Sequence, residues 1–122
     1  MTTARRQLSI AAFSLALAGS VFVAGAESFP AGDYEAGGAT LSFAGGAYRV
    51  LHGDKAMVEG TYTIDGAKLV LTDVSGPYAC PAASKTGTYT WRFDGKALVL
   101  TKVDDACDDR SGDLNGHPWT KR

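Results

Sequence analysis

Residues 60–80 read GTYTIDGAKLVLTDVSGPYAC, and residues 87–107 read GTYTWRFDGKALVLTKVDDAC. Each stretch opens on GTYT, turns at Asp-Gly, returns through a Leu-Val-Leu run and ends on a cysteine. In the second copy Tyr89, Trp91 and Phe93 alternate with Thr88, Thr90 and Arg92. That is the period-two pattern of a half-buried strand. Asp94-Gly95 supplies a two-residue hairpin turn, and ALVLTKV is the returning strand. In the first copy Val58, Gly60, Tyr62 and Ile64 share one face, Asp65-Gly66 turns the chain, and KLVLTDV returns. The repeat is a β-hairpin written twice. Leu69 and Leu71 correspond to Leu98 and Leu100, which predicts that both hairpins send leucines to one interior.

The flanking sequence follows the same rules. Tyr34 sits in a short first strand, and ATLSFAGGAYRVLHGD is a hairpin turning at Gly45-Gly46. Gly53-Asp54 leads into the strand that holds Val58. Residues 75–87, rich in glycine and proline, read as an irregular connection. The polar stretch DDACDDRSGDLNG reads as a loop or one helical turn, and HPWTKR as a last short strand. Seven or eight antiparallel strands joined mostly by tight turns must hide their edges. The expected fold is therefore an all-β, up-and-down barrel, with a β-sandwich as the alternative.

The chain opens MTTARRQLSIAAFSLALAGSVFVAGA. Two arginines, an apolar run diluted by serine and glycine, and Ala24-Gly25-Ala26 form the three parts of a secretory signal peptide. Residues 1–26 are expected to be removed on export, leaving 27–122 as one domain with no membrane span. With Arg5 and Arg6 gone, ten basic residues stand against thirteen acidic ones, a net charge of about −3. Nothing in that balance or its distribution suits nucleic acid or an anionic membrane. Two cysteines in an exported chain, neither with a CxxC or CxxH neighbour, predict a Cys80–Cys107 disulfide. It would tie the tails of the two repeats together at one end. The compartment is expected to be periplasmic or extracellular, and the protein a monomer.

This layout resembles a small exported bacterial barrel of the calycin group, which includes the lipocalins. Lipocalins carry Gly-x-Trp on the first strand and a basic residue near the last that packs across the indole. Gly32-Asp33-Tyr34 takes the first position here, with tyrosine for tryptophan, and Lys121 or Arg122 takes the second. The closing DDACDDR…HPWTKR is similar to the ends of small exported bacterial proteins. The resemblance implies ligand binding inside a barrel, although a fold does not fix a function.

Catalysis is not expected. His52 and His117 are the histidines, and neither sits beside a recognisable serine or aspartate motif. Asp104, Asp105, Asp108, Asp109 and Asp113 invite a calcium reading. Placing Gly116 at the sixth loop position, however, puts Ser111 at the first and Arg122 at the twelfth, where a bidentate acid belongs. A solvated loop with Arg110 neutralising its aspartates is the simpler reading, with an irregular calcium site as the alternative. No cofactor or resident metal is expected.

Two uses of the barrel remain. Phe43, Tyr48, Tyr62, Tyr89, Trp91 and Phe93 would line an interior for a small apolar or aromatic ligand. In the other reading the protein contacts a secreted protein, as an inhibitor of a hydrolase or as a structural envelope component. Pro77, Tyr78, Pro81 and Trp119 would then supply the contact surface.

Overall fold

The computed structural model describes residues 28–122, so the expected signal segment at 1–26 lies outside the described residues. Eight strands follow one another around a closed barrel: β1 (Gly32–Ala36), β2 (Ala39–Ala44), β3 (Ala47–His52), β4 (Lys55–Asp65), β5 (Lys68–Ser75), β6 (Thr86–Phe93), β7 (Ala97–Asp104) and β8 (Pro118–Lys121). Every neighbouring pair is antiparallel. Closure comes from the C-terminal strand. β8 pairs with β7 through Leu98 and Trp119, and with β1 through Tyr34 and Lys121. The last strand thus covers both edges that a seven-stranded sheet would expose, and the fold is a barrel rather than a sandwich.

The repeat builds the middle of this barrel. Leu69 pairs with Tyr89 across β5 and β6, and Leu98 with Phe93 across β6 and β7. Leu69, Leu71, Leu98 and Leu100 are all fully buried together with Leu41. Each such side chain contributes about 1.5–3 kcal/mol on leaving water. The interior is occupied by these leucines and by the aromatic rings of β1–β4 and β6.

Cys80 and Cys107 are bonded, with Cα atoms 6.2 Å apart. Closing a loop of this length stabilises the fold by about 3.6 kcal/mol on the chain-entropy model. At the β1–β8 seam, Lys121 Nζ lies 5.3 Å from the centre of the Tyr34 ring. Of the two C-terminal bases, Lys121 is the one that covers the first-strand aromatic. Arg122 instead makes a surface ion pair with Glu35 (2.8 Å), which adds little stability in water.

Three details differ from the sequence reading. The polar stretch after β7 contains a two-turn helix, α1 (Asp108–Leu114), rather than a loop or single turn. It is not wholly solvated either, because Asp105, Arg110, Ser111 and Leu114 are buried. Trp119, expected on an exposed contact surface, is only 2 % exposed. Its position on β8 points the indole inward, where Nε1 donates to the Leu114 carbonyl at 3.4 Å.

Candidate functional site

The hairpin turns divide between two ends of the barrel. The turns after β2, β4 and β6 share one end with the N-terminal Phe29. There Phe29 packs edge-on against Phe43 and Trp91, with ring centres 4.9 and 5.3 Å away, and against Tyr62 at 5.5 Å. Phe43 also meets Tyr62 edge-on at 5.1 Å, and Phe93 packs against Tyr34 at 6.1 Å. Tyr48 stacks on Phe43 at 6.3 Å, so five of the six residues expected to line a ligand cup, Phe43, Tyr48, Tyr62, Trp91 and Phe93, belong to one packed aromatic cluster.

The other end carries the disulfide, α1 and the connection after β5. Its centre is the buried guanidinium of Arg110. Nε and Nη2 both donate to the Asp105 carboxylate at 2.7 Å. Nη2 also donates to the Ser84 carbonyl and Nη1 to the Lys85 carbonyl, at 3.0 and 2.8 Å. Nη1 lies 3.1 Å from Asp73 Oδ1. Four of the five guanidinium N–H groups are thus hydrogen-bonded, and the contact with Asp73 is an ion pair. Tyr48 donates its hydroxyl to Asp73, and Tyr89 donates to Asp105 Oδ2 at 2.5 Å. The backbone N–H groups of Cys80 and Cys107 donate to Asp73 and Asp105, at 2.8 and 2.9 Å. Each disulfide half is thus hydrogen-bonded to one of the two aspartates that flank the arginine.

The glycines of the two GTYT motifs make this network possible. Gly60 sits between Tyr48 on β3 and Asp73 on β5 in the strand register. A Cβ there would run into the Thr72 carbonyl and come within 2.9 Å of Tyr48 Cε1. At Gly87 a Cβ would fall 2.5 Å from Asp105 Oδ2 and 2.9 Å from Arg110 Nη2. In both places the missing side chain leaves the space that the polar groups fill.

Burial and hydrogen bonding set the charges. Burial raises the Asp105 pKa, but Arg110, Tyr89 and the Cys107 N–H outweigh it and hold the carboxyl below its ordinary value. Burial, reinforced by the neighbouring carboxylates, pushes the Tyr48 and Tyr89 hydroxyls well above the usual tyrosine range. Their aspartate partners raise the Arg110 guanidinium against the opposing effect of burial. At neutral pH Asp105 is therefore ionised beside a charged guanidinium, and the two phenols are neutral.

Beside it lies a cleft of about 390 Å³. Tyr48, Asp73 and Arg110 line it together with the apolar side chains of Val50, Met57, Val58 and Leu114. The segment Pro77–Ala79 borders it on one side, and Asp109 and Asp113 of α1 on another. At its margin His52 meets the Tyr78 ring edge-on, with centres 6.4 Å apart. A second hollow, of about 330 Å³, shares Val50, His52 and Asp113 and adds His117 and Trp119. His117 is tied locally, Nε2 donating to the Asp113 carbonyl at 2.7 Å.

Of the six aromatic candidates, the cleft includes Tyr48, while Tyr89 stands behind it in the polar network. Of the loop candidates, Pro77 and Tyr78 border the cleft, Pro81 is exposed away from it, and Trp119 belongs to the neighbouring hollow. Sequence reasoning missed Met57, Val58, Leu114, Asp73 and Arg110. Asp73 did carry a signal, because it continues the inward phase of Leu69 and Leu71. Among the described residues, no three His, Cys, Asp or Glu side chains gather to hold a metal ion. No described helix is long and apolar enough to cross a membrane. Comparison with family models, with curated proteins and with solved structures returned no match.

Proposed function

We propose that this protein is an exported, calycin-like binding barrel that takes a small ligand with an apolar or aromatic body at its helix-capped end. The observation that carries this reading is the cleft between α1 and the segment Pro77–Ala79. Its volume of about 390 Å³ lies within the range of small-molecule pockets, roughly 300–1,000 Å³. Apolar walls beside a few fixed polar groups are the usual composition of such sites. The walls are also held in advance: the disulfide and Arg110 tie the connection after β5 to α1, so binding would order little new backbone. A formed disulfide is compatible with export to an oxidising compartment.

Native mass spectrometry of the protein purified under non-reducing conditions tests this directly. A bound mass of small-molecule size, lost on denaturation, is the expected result. Apo protein in every preparation, together with no amide shifts at Tyr48, Met57 or Leu114 during a screen of aromatic fragments, would overturn it.

One feature favours a second reading, in which the protein docks on a secreted protein such as a hydrolase. Tyr78 is 62 % exposed on the disulfide-anchored connection, and exposed tyrosines on rigid segments suit interfaces. A co-purifying protein that protects Tyr78 from solvent would favour that use of the same end.

A further inference from the structure

The charge around the cleft is unbalanced. Three carboxylates, Asp73, Asp109 and Asp113, line it against the single guanidinium of Arg110. Arg110 is already committed: four of its N–H groups donate to Asp105 and the Ser84 and Lys85 carbonyls, its charge is shared with Asp73 and Asp105, and its side chain is only 4 % exposed. An anionic ligand would therefore meet no free cation among the lining groups. Asp109 and Asp113 stand four residues apart on α1, hence on the same face of the helix. Both are exposed, and among the described residues neither has an ion-pair partner. The second hollow extends this surface through Asp113 and contributes no lysine or arginine.

From this we infer that the cleft selects an organic cation: an amine carried on an apolar or aromatic body. The body rests on Val50, Met57, Val58 and Leu114, while the ammonium group lies at the rim between the Asp109 and Asp113 carboxylates. The exposed Tyr78 ring offers the same cation a π face. This inference rests on the binding reading above and narrows it to one class of ligand. Because the two aspartates are solvated, each ion pair is worth only about 0.2–1 kcal/mol. Together they predict roughly a twofold to thirtyfold preference for the cation over a neutral isostere at low salt. Screening should reduce that preference as ionic strength rises.

Three probes of equal shape separate the possibilities: 2-phenylethylamine, 2-phenylethanol and phenylacetate, each titrated into the ¹⁵N-labelled full barrel. The amine should shift the amides of Met57, Tyr78 and Leu114 at the lowest concentration. Its advantage over the alcohol should fall to near unity in D109N/D113N, whose two changes lie on the exposed helix face and leave the buried network intact. Equal binding of amine and alcohol to the unaltered protein would overturn the inference while leaving the cleft as a binding site. Preference for phenylacetate would overturn it too, by showing that Arg110 serves the ligand. If none of the three shifted the cleft amides, the binding reading itself would fall, and this inference with it.

Discussion

Phe29 and Arg110 occupy opposite ends of the same barrel, and each closes its end by filling it. Phe29 does so through ring contacts with Phe43, Tyr62 and Trp91, which depend on area and only loosely on direction. Arg110 does so through four directed hydrogen bonds and an ion pair with Asp73, with its side chain 4 % exposed and the Asp73 and Asp105 side chains 1 % and 0 % exposed. An apolar plug loses stability in proportion to what is removed. A polar plug that loses one partner leaves the others buried and unpaired, which costs more than the interaction contributed. The two ends should therefore differ in how they tolerate change. The end that borders the cleft should be the less forgiving one.

The largest effect is expected at Arg110. Replacing it with leucine strands two buried carboxylates and should destabilise the protein by about 3–5 kcal/mol in a denaturant titration. R110K keeps the charge but offers three donors on a flexible stem in place of a planar fork, so it should recover only a minor part. Adding D73N and D105N to R110L removes the stranded charges and should restore part of the loss. If R110L fell within 1 kcal/mol of the unaltered protein, water would have to be reaching the carboxylates. The contrast between the ends would then disappear.

The sequence exposed one side of this comparison better than the other. Hairpins, turn positions, the disulfide and the inward leucines were all legible because they depend on neighbours along the chain or on strict alternation. The pairing of a first-strand aromatic with a C-terminal base came only from the resemblance to lipocalins; here Lys121 lies over the Tyr34 ring. That Arg110 pairs with a nearby aspartate was legible, and Asp105 is that partner, but the burial of Arg110 was not, because DDACDDR has the composition of a solvated surface. What buries it is the carbonyls of Ser84 and Lys85 and the carboxylate of Asp73, all distant in sequence. Phe29 was hidden for a similar reason, since its partners lie on three different strands. The inward phase of Asp73 and the inward glycines Gly60 and Gly87 were visible. Together they mark where an interior turns polar.

A smaller effect is expected at the aromatic end. Phe29 is half-buried, so F29A should cost about 1–2 kcal/mol, and F29L should regain most of it. This graded response is the counterpart of the failure expected for R110K. A loss at F29A as large as that of R110L, with no rescue by leucine, would mean that ring geometry is as demanding here as the ionic network.

The subtlest difference is in pH dependence. Phe29, Phe43, Trp91 and Phe93 do not titrate, and the displaced hydroxyl beside them, that of Tyr34 bonded to the Pro30 carbonyl, moves upward, whereas the helix end holds groups displaced at both extremes. Asp105 has a folded pKa below the 3.8 of an ordinary aspartate. Unfolding therefore takes up a proton in this range, and the stability it contributes is present above 3.8 and lost as pH falls through the folded value. Tyr48 and Tyr89 are displaced upward from 10.0, and at the β1–β8 seam burial pushes Tyr34 up to about 12. Their contribution is complete below pH 10 and declines above it, because the unfolded chain ionises first. The denaturation midpoint should accordingly fall on the acid side of pH 4 and again above pH 10. D105N should flatten the acid limb by up to one proton and leave the shape of the alkaline limb largely in place, whereas F29A should lower the whole curve without changing its shape. An acid limb equally steep in D105N would place the titrating carboxyl elsewhere, and the helix end would lose its claim to be the pH-sensitive closure.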